Sequence, residues 1–244
     1  MALPEQWCPT IALLSMAGWK SSLPILGPLL AGGLLWWLLA PSSPQVAGGS
    51  DPSGTSGSVR EDGWSAVSFA DLKPGGTIPG WEFAAGGFAI VELEGRTVLA
   101  LNPEPMGEGQ LRFSQMFTGR GGLRARMKGE KARRSAPRFG VSFHNEAQYQ
   151  LRATPSSGVL ELTRREDVLA STEWKADPNS WLWLELRVEG PVFEGRAWKE
   201  GEPRPEKPQV QWTAPAPPGL LRAVVQGAPY ANRPIYYDRI EVLR

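Results

Sequence analysis

The chain has one cysteine, Cys8, and one histidine, His144, among 244 residues. A single cysteine excludes an internal disulfide and any zinc site built from several thiolates. Cys8 has no neighbouring base and precedes the apolar segment instead of following one, so it reads as a plain thiol and not as a lipid attachment point. One histidine leaves little material for a Ser-His-Asp triad or an imidazole metal centre, and its context, His144-Asn145-Glu146, reads as a solvated turn. Charge of one sign is also scarce. The net charge is +1, which lacks the strongly basic balance of nucleic-acid binders, and no nucleic-acid partner is expected. Helical periodicity is missing beyond residue 60, where no stretch carries a sustained 3.6-residue apolar stripe.

Glycine and proline are plentiful, at 28 and 23, and eleven tryptophans stand against four tyrosines. That mixture suits many short strands joined by tight turns. The N-terminal part differs. Residues 1–22 form a short leading segment, and residues 23–40, LPILGPLLAGGLLWWLLA, are eighteen without a charge. A spanning helix needs roughly 17–25 such residues. Trp19 and the pair Trp36 and Trp37 lie near its ends, as interfacial aromatic belts do. A secretory signal is the rival reading, although no good small-x-small cleavage site follows. Lys20 and the terminal amine precede the apolar run and no Lys or Arg follows until Arg60. That asymmetry predicts a single-pass protein of a bacterial-type inner membrane, with its N-terminus cytoplasmic and the bulk of the chain periplasmic.

Residues 41–60 are rich in Ser, Gly and Pro and poor in large apolar side chains, which predicts a tether. Residues 61–244 then form one domain. Strands are expected over 88–93, 97–101, 111–117, 122–127, 139–143, 148–153, 159–163, 168–171, 181–188, 192–198, 220–225 and 235–242. Turn chemistry such as Glu94-Gly95, Ser157-Gly158 and Glu189-Gly190-Pro191 separates them. Alternation is clearest over 181–188, where Leu182, Leu184, Leu186 and Val188 face one way and Trp181, Trp183, Glu185 and Arg187 the other. The expected class is all-β, a two-sheet antiparallel jelly-roll sandwich preceded by a transmembrane helix.

The order of these motifs is itself informative. Asn145-x-x-x-Tyr149 is followed by Leu160-Glu161-Leu162, by Leu169-Ala170, by Trp181-Leu-Trp-Leu-Glu-Leu-Arg-Val-Glu-Gly190 and finally by Tyr237-Asp238-Arg-Ile-Glu-Val242. This resembles the concanavalin A-like lectin and glucanase jelly rolls, in particular the LamG-like and 3-keto-disaccharide-hydrolase-type domains, over roughly residues 81–242. Trp81-Glu-Phe with Thr97-Val-Leu-Ala-Leu fits the opening hairpin. The resemblance implies a fold that hosts lectins, hydrolases and interaction domains alike. Retaining glucanases of this fold carry E-x-D-x-x-E on one strand, whereas Glu92 and Glu94 here are followed by a turn at Gly95 and lack the central Asp and third Glu. No catalytic residue is therefore expected. Asp71 and Asp238 are the acids that could join a calcium site, but no ligand-dense loop accompanies them, and no metal or cofactor is assigned.

Two binding features remain. Trp181 and Trp183 could form an outward aromatic platform for sugar rings or a partner, or could lie beneath the second sheet or a covering loop. The segment RARMKGEKARRSAPR carries Arg124, Arg126, Lys128, Lys131, Arg133, Arg134 and Arg138 against one acid, Glu130. Alternation places Arg124, Arg126 and Lys128 on one face of a strand, a patch suited to acidic lipid, protein or glycan. A solvated loop balanced by acids elsewhere is the plainer reading. Together the features favour a non-catalytic, membrane-anchored accessory subunit whose partners are the bilayer and other membrane proteins. The other reading is a cell-surface domain that binds or processes carbohydrate, with a glycan partner.

Overall fold

A computed structural model describes residues 63–104, 107–133 and 135–244. Trp19, Trp36, Trp37, Cys8, the apolar run 23–40 and the tether 41–60 lie outside the described residues, as does Arg134. Among the described residues no helix is long and apolar enough to cross a membrane.

Fifteen strands make up the domain, and every expected segment is among them. The chain runs through β1 (Trp64–Ala66), β2 (Trp81–Ala85), β3 (Gly87–Leu93), β4 (Arg96–Asn102) and β5 (Gly109–Thr118). It continues through β6 (Arg120–Lys128), β7 (Arg138–His144), β8 (Tyr149–Thr154), β9 (Val159–Arg164) and β10 (Asp167–Glu173). It ends with β11 (Leu182–Glu189), β12 (Val192–Lys199), β13 (Val210–Thr213), β14 (Leu220–Ala228) and β15 (Ile235–Leu243). One antiparallel sheet, sheet A, has the order β13-β12-β11-β6-β15-β4-β3, with β1 paired to the second half of β15. The other, sheet B, has the order β10-β9-β8-β7-β14-β5-β2.

Period-2 alternation explains why the two sheets stack. Leu182, Leu184, Leu186 and Val188 of β11 meet Phe139, Val141 and Phe143 of β7 and Leu151 and Ala153 of β8 in one core, all of them essentially inaccessible. Aromatic rings lock the layers together: Phe117 meets Phe143 edge-on at 5.5 Å, and Tyr149 stacks on Phe193 at 4.2 Å. At Gly195 a Cβ would stand 2.4 Å from Leu151 Cδ1, so only glycine lets the sheets approach there.

The opening hairpin differs from expectation in one respect. β3 and β4 pair through the Glu94-Gly95 turn, with φ of 53° and 74°. The preceding strand β2 does not extend that hairpin but crosses to sheet B and pairs with β5. The crossing occurs at Gly86, φ 84°, whose backbone is so close to Gly109 that a Cβ would lie 2.8 Å from its Cα.

Candidate functional site

The outward faces of the two sheets are built from different chemistry. On sheet A, Arg124 and Arg126 of β6 face outward beside Trp183 and Glu185 of β11 and Arg239 and Glu241 of β15, as the register dictates. Glu185 and Glu241 are fully buried although they point away from the core. Arg204 donates to Glu185 at 2.8 Å and Arg187 at 2.9 Å, while Arg196 and Arg124 stand 3.6 and 3.7 Å away. Burial raises the Glu185 pKa, and the hydrogen bond from Arg204 with the charges of Arg187, Arg204 and Arg124 more than offsets it, leaving the carboxyl below its ordinary value. Glu241 accepts from Arg124 and, at 2.6 Å, from Arg239.

Asp238 shows how the backbone aims such a group. The β15–β6 register shifts between Tyr237 and Arg239, so Asp238 is the extra residue of a bulge. Its carboxylate receives Arg126 Nε at 2.7 Å, and that hydrogen bond raises the Arg126 pKa. Arg126 also donates to Glu200 at 2.6 Å, and Lys128 to Glu94 at 2.9 Å.

Arg124, Arg126 and Lys128 do share one face, but acids from β11, β15, the β3–β4 turn and the segment after β12 neutralise them. The cationic patch expected there is therefore closed, and what projects is the loop part, where Lys131 and Arg133 are exposed. Arg138 opens β7 and is exposed on the other sheet.

The tryptophans complete this lattice and are not a bare platform. Trp183 stacks on Trp198 with ring centroids 5.6 Å apart and planes 8° apart. Trp181 is buried, with Arg126 at 5.5 Å and Lys128 at 5.9 Å from its ring. Arg124 lies 4.2 Å from the Trp64 ring. Glu92 accepts from Thr97 at 2.7 Å and Glu94 pairs with Lys128 at 2.9 Å. Asp71 is exposed, and among the described residues no group of His, Cys, Asp or Glu is placed to hold a metal.

Sheet B presents a different surface. One row across it reads Val168, Thr163, Gln150, Ser142, Val224, Arg112 and Glu82, each directly opposite the next. The neighbouring row holds Glu161, Arg152, Gly140, Gln226 and Gln110, and the opposite flank holds His144 and Arg222. Ser142 Oγ is 3.0 Å from Gln226 Oε1 and 3.0 Å from His144 Nε2. Gly140 leaves room for two amides: a Cβ there would meet Gln150 Nε2 at 2.7 Å and Gln226 Cγ at 3.0 Å. Two donor-bearing atoms on this face, Thr163 Oγ1 and Arg112 Nε, are buried with no partner. Buried polar groups are normally satisfied, so these two are exceptions on sheet B, as Arg196 Nε and Nη1 are on sheet A.

His144 belongs to this face. It ends β7 and its imidazole meets Ser142, so it is not the solvated turn residue that its neighbours in sequence suggest. Burial, then the charge of Arg112, lowers its pKa from 6.5 to about 4, keeping it neutral near pH 7. None of the residues of this face stands out in sequence, because each is an ordinary polar residue at an outward strand position. The only available signal is the paired alternation Ser142-x-His144 and Gln150-x-Arg152 next to buried neighbours.

A two-sheet antiparallel sandwich of this order defines a class: the domain has the concanavalin A-like lectin fold. It is similar to the exoplasmic/lumenal domain of VIP36 in its Ca2+/Man-bound form, with a TM-score of 0.52 and 11% identity over 73% of this chain and 88% of that one. It is also similar to peanut lectin bound to a 9mer peptide, with a TM-score of 0.50 and 6% identity over 73% and 96%. An uncharacterized protein from Mycobacterium paratuberculosis gives a TM-score of 0.50 and 13% identity over 72% and 98%. No family model and no curated protein matches the sequence.

Proposed function

We propose that this protein is a non-catalytic, membrane-anchored, extracytoplasmic domain that binds carbohydrate on the outer face of sheet B. The observation that carries the reading is the polar face on which the half-buried Gln150, Arg112, Arg222 and His144 surround a row whose Thr163 and Ser142 are buried. Sugars are recognised by a convergence of polar groups, and this face supplies amide, imidazole and guanidinium groups from neighbouring strands. The lectin fold is in keeping with it. The charge-free run at 23–40 and the Ser/Gly/Pro stretch at 41–60 support an anchor and a tether that would hold the domain outside a bacterial-type inner membrane.

Affinity electrophoresis of the detergent-extracted full chain through gels containing defined polysaccharides tests the reading. Retardation by at least one polysaccharide is expected, and it should weaken in Gln150→Ala and Gln226→Ala. No retardation by any neutral or acidic polysaccharide would overturn it. An accessory role in a larger membrane complex is favoured by one observation, the exposed Lys131 and Arg133 between β6 and β7. Loss of co-purifying membrane proteins on charge reversal at Arg133 and Arg134, with glycan binding intact, would make that the second role of the same chain.

A further inference from the structure

We infer that the glycan held by sheet B is an acidic one, a polysaccharide of uronic acid residues whose carboxylates dock on Arg112 and Arg222. The inference rests on the carbohydrate-binding reading and names its substrate class.

Its first support is charge. On sheet A the outward arginines Arg124, Arg126, Arg187, Arg196 and Arg239 each meet a carboxylate, and only Arg120, at the exposed start of β6, has none among the described residues. On sheet B, among the described residues, Arg112 and Arg222 meet none. Arg112 Nη2 donates to the neutral amide of Gln110 at 3.0 Å, and Arg222 Nε approaches only the thioether of Met116 at 3.5 Å. The acids of the same face are engaged elsewhere or lie at its margin. Glu161 is paired with Arg152 at 2.8 Å, and Glu108 accepts from Gln150 at 3.4 Å. Glu82 sits opposite Arg112 in register on the edge strand β2 but makes no ion pair with it. A guanidinium is a planar fork that matches a carboxylate with two parallel hydrogen bonds, and since Arg112 Nε is enclosed the docking falls to the terminal Nη groups of this half-buried side chain.

Spacing is the second support. Arg112 is opposite Val224 and Arg222 lies two residues along β14 on the same face, so the two are diagonal neighbours across a register shift that sets Arg222 opposite Met116. Such positions stand about 7–8 Å apart. Two separated single charges suit a polymer with one carboxylate per sugar, whereas a densely sulfated chain would leave most of its charge unmatched. Beside them the half-buried amides of Gln150 and Gln110 are neutral groups for ring hydroxyls, while Ser142, Gln226 and Thr163 are buried. His144, opposite Arg222, is uncharged near neutral pH and can take either hydrogen-bonding role.

A third support is what the face lacks. Its described residues include no outward aromatic ring, since Tyr149 stacks inward on Phe193, and Phe83 stacks on Phe88 of the other sheet. Recognition of a neutral polysaccharide by ring stacking has no platform here. Charge-assisted hydrogen bonds are the strong contacts that remain.

The test uses the full chain in detergent micelles and measures affinity for polygalacturonate, for the same polymer after carboxyl reduction, for dextran sulfate and for vesicles of anionic phospholipid. The expected result is binding to polygalacturonate that falls about tenfold or more in Arg112→Gln and in Arg222→Gln, and that weakens with salt. Arg133→Gln, in the loop, should leave it unchanged. If Arg112→Gln alters the urea midpoint, Arg112→Lys and Arg222→Gln carry the test, since each keeps or removes charge at a separate position. Equal binding of the carboxyl-reduced polymer overturns the acidic-glycan inference while leaving carbohydrate binding intact. Preference for dextran sulfate or for vesicles overturns it in favour of those ligands. Failure of every polysaccharide to bind removes the carbohydrate reading itself.

Discussion

The outer faces of sheets A and B are both rich in arginine, yet they use it in opposite ways. On sheet A a lattice of Arg124, Arg126, Arg187, Arg196, Arg204 and Arg239 is satisfied by Glu185, Glu194, Glu200, Asp238 and Glu241 and capped by tryptophan rings. Such a network pairs its charges internally, although Arg196 Nε and Nη1 are buried within it without a hydrogen-bond partner. On sheet B the arginines of β5 and β14 are set among amides and hydroxyls and are left with hydrogen-bonding capacity in hand. Charge count alone would rank sheet A as the binding face. Charge that is unmatched points to sheet B.

The largest effect should come from breaking the lattice. Glu185→Gln removes the fully buried carboxylate that Arg124, Arg187, Arg196 and Arg204 surround; Arg124 keeps Glu241 and Arg196 keeps Glu194, while Arg187 and Arg204 lose the carboxylate they donate to. Loss of one partner of a buried pair costs about 3–5 kcal/mol, and a drop of that size in unfolding free energy is expected from urea titration. Glycan affinity of the protein that remains folded should be unchanged. A cost below about 1 kcal/mol would mean that the lattice is a surface ornament like most exposed ion pairs.

Acid should separate the faces by pH window. His144 has its folded pKa lowered to about 4 from an unfolded 6.5, so between these values the unfolded chain binds the extra proton. The contribution of neutral His144 is complete above pH 6.5 and is lost as pH falls toward 4, by at most about 3 kcal/mol. The Glu185 pKa is lowered too, but from the carboxylate range, so its contribution is lost only as pH falls from that range toward the lower folded value. Urea midpoints measured from pH 7 to pH 4 should therefore decline, and His144→Gln should flatten the decline without touching the fall at lower pH.

How much of this was legible in the sequence depends on distance along the chain. The alternation of Leu182, Leu184, Leu186 and Val188 is local, and it marked β11 and its buried face correctly. β13, four residues in a Pro-rich surrounding, and three-residue β1 are too short to show a period. Arg124, Arg126 and Lys128 were placed on one face, but the acids that neutralise them lie 117, 112 and 34 residues away, and nothing local announces a pairing of that range. Sheet B's row is harder still. Its residues come from seven strands, one from each, and a site assembled that way has no contiguous motif to read.

A smaller effect tests whether the tryptophans belong to the lattice or to a binding platform. Trp183→Leu removes the stack on Trp198 and the ring near the Arg124, Arg126 and Arg239 guanidinium groups. A loss of about 1–2 kcal/mol is expected from those contacts, with polysaccharide affinity retained. Loss of affinity without loss of stability would return the site to sheet A.

The smallest effect on stability should be the most instructive. Arg112→Gln gives up one hydrogen bond to Gln110 and an Nε that has no partner, so the unfolding free energy should move by no more than about 0.5 kcal/mol. The same substitution also removes the positive charge that helps to hold His144 neutral. The His144 pKa, followed through its ring proton resonances, should therefore rise in the variant while burial still keeps it below the ordinary value. A carboxylated sugar seated on Arg112 in the unsubstituted chain should move the same resonances in the same direction, because it offsets the same charge. If the ligand leaves His144 unmoved while Arg112→Gln shifts it, the sugar does not sit on Arg112, and the contrast between the two faces would reduce to one of stability alone.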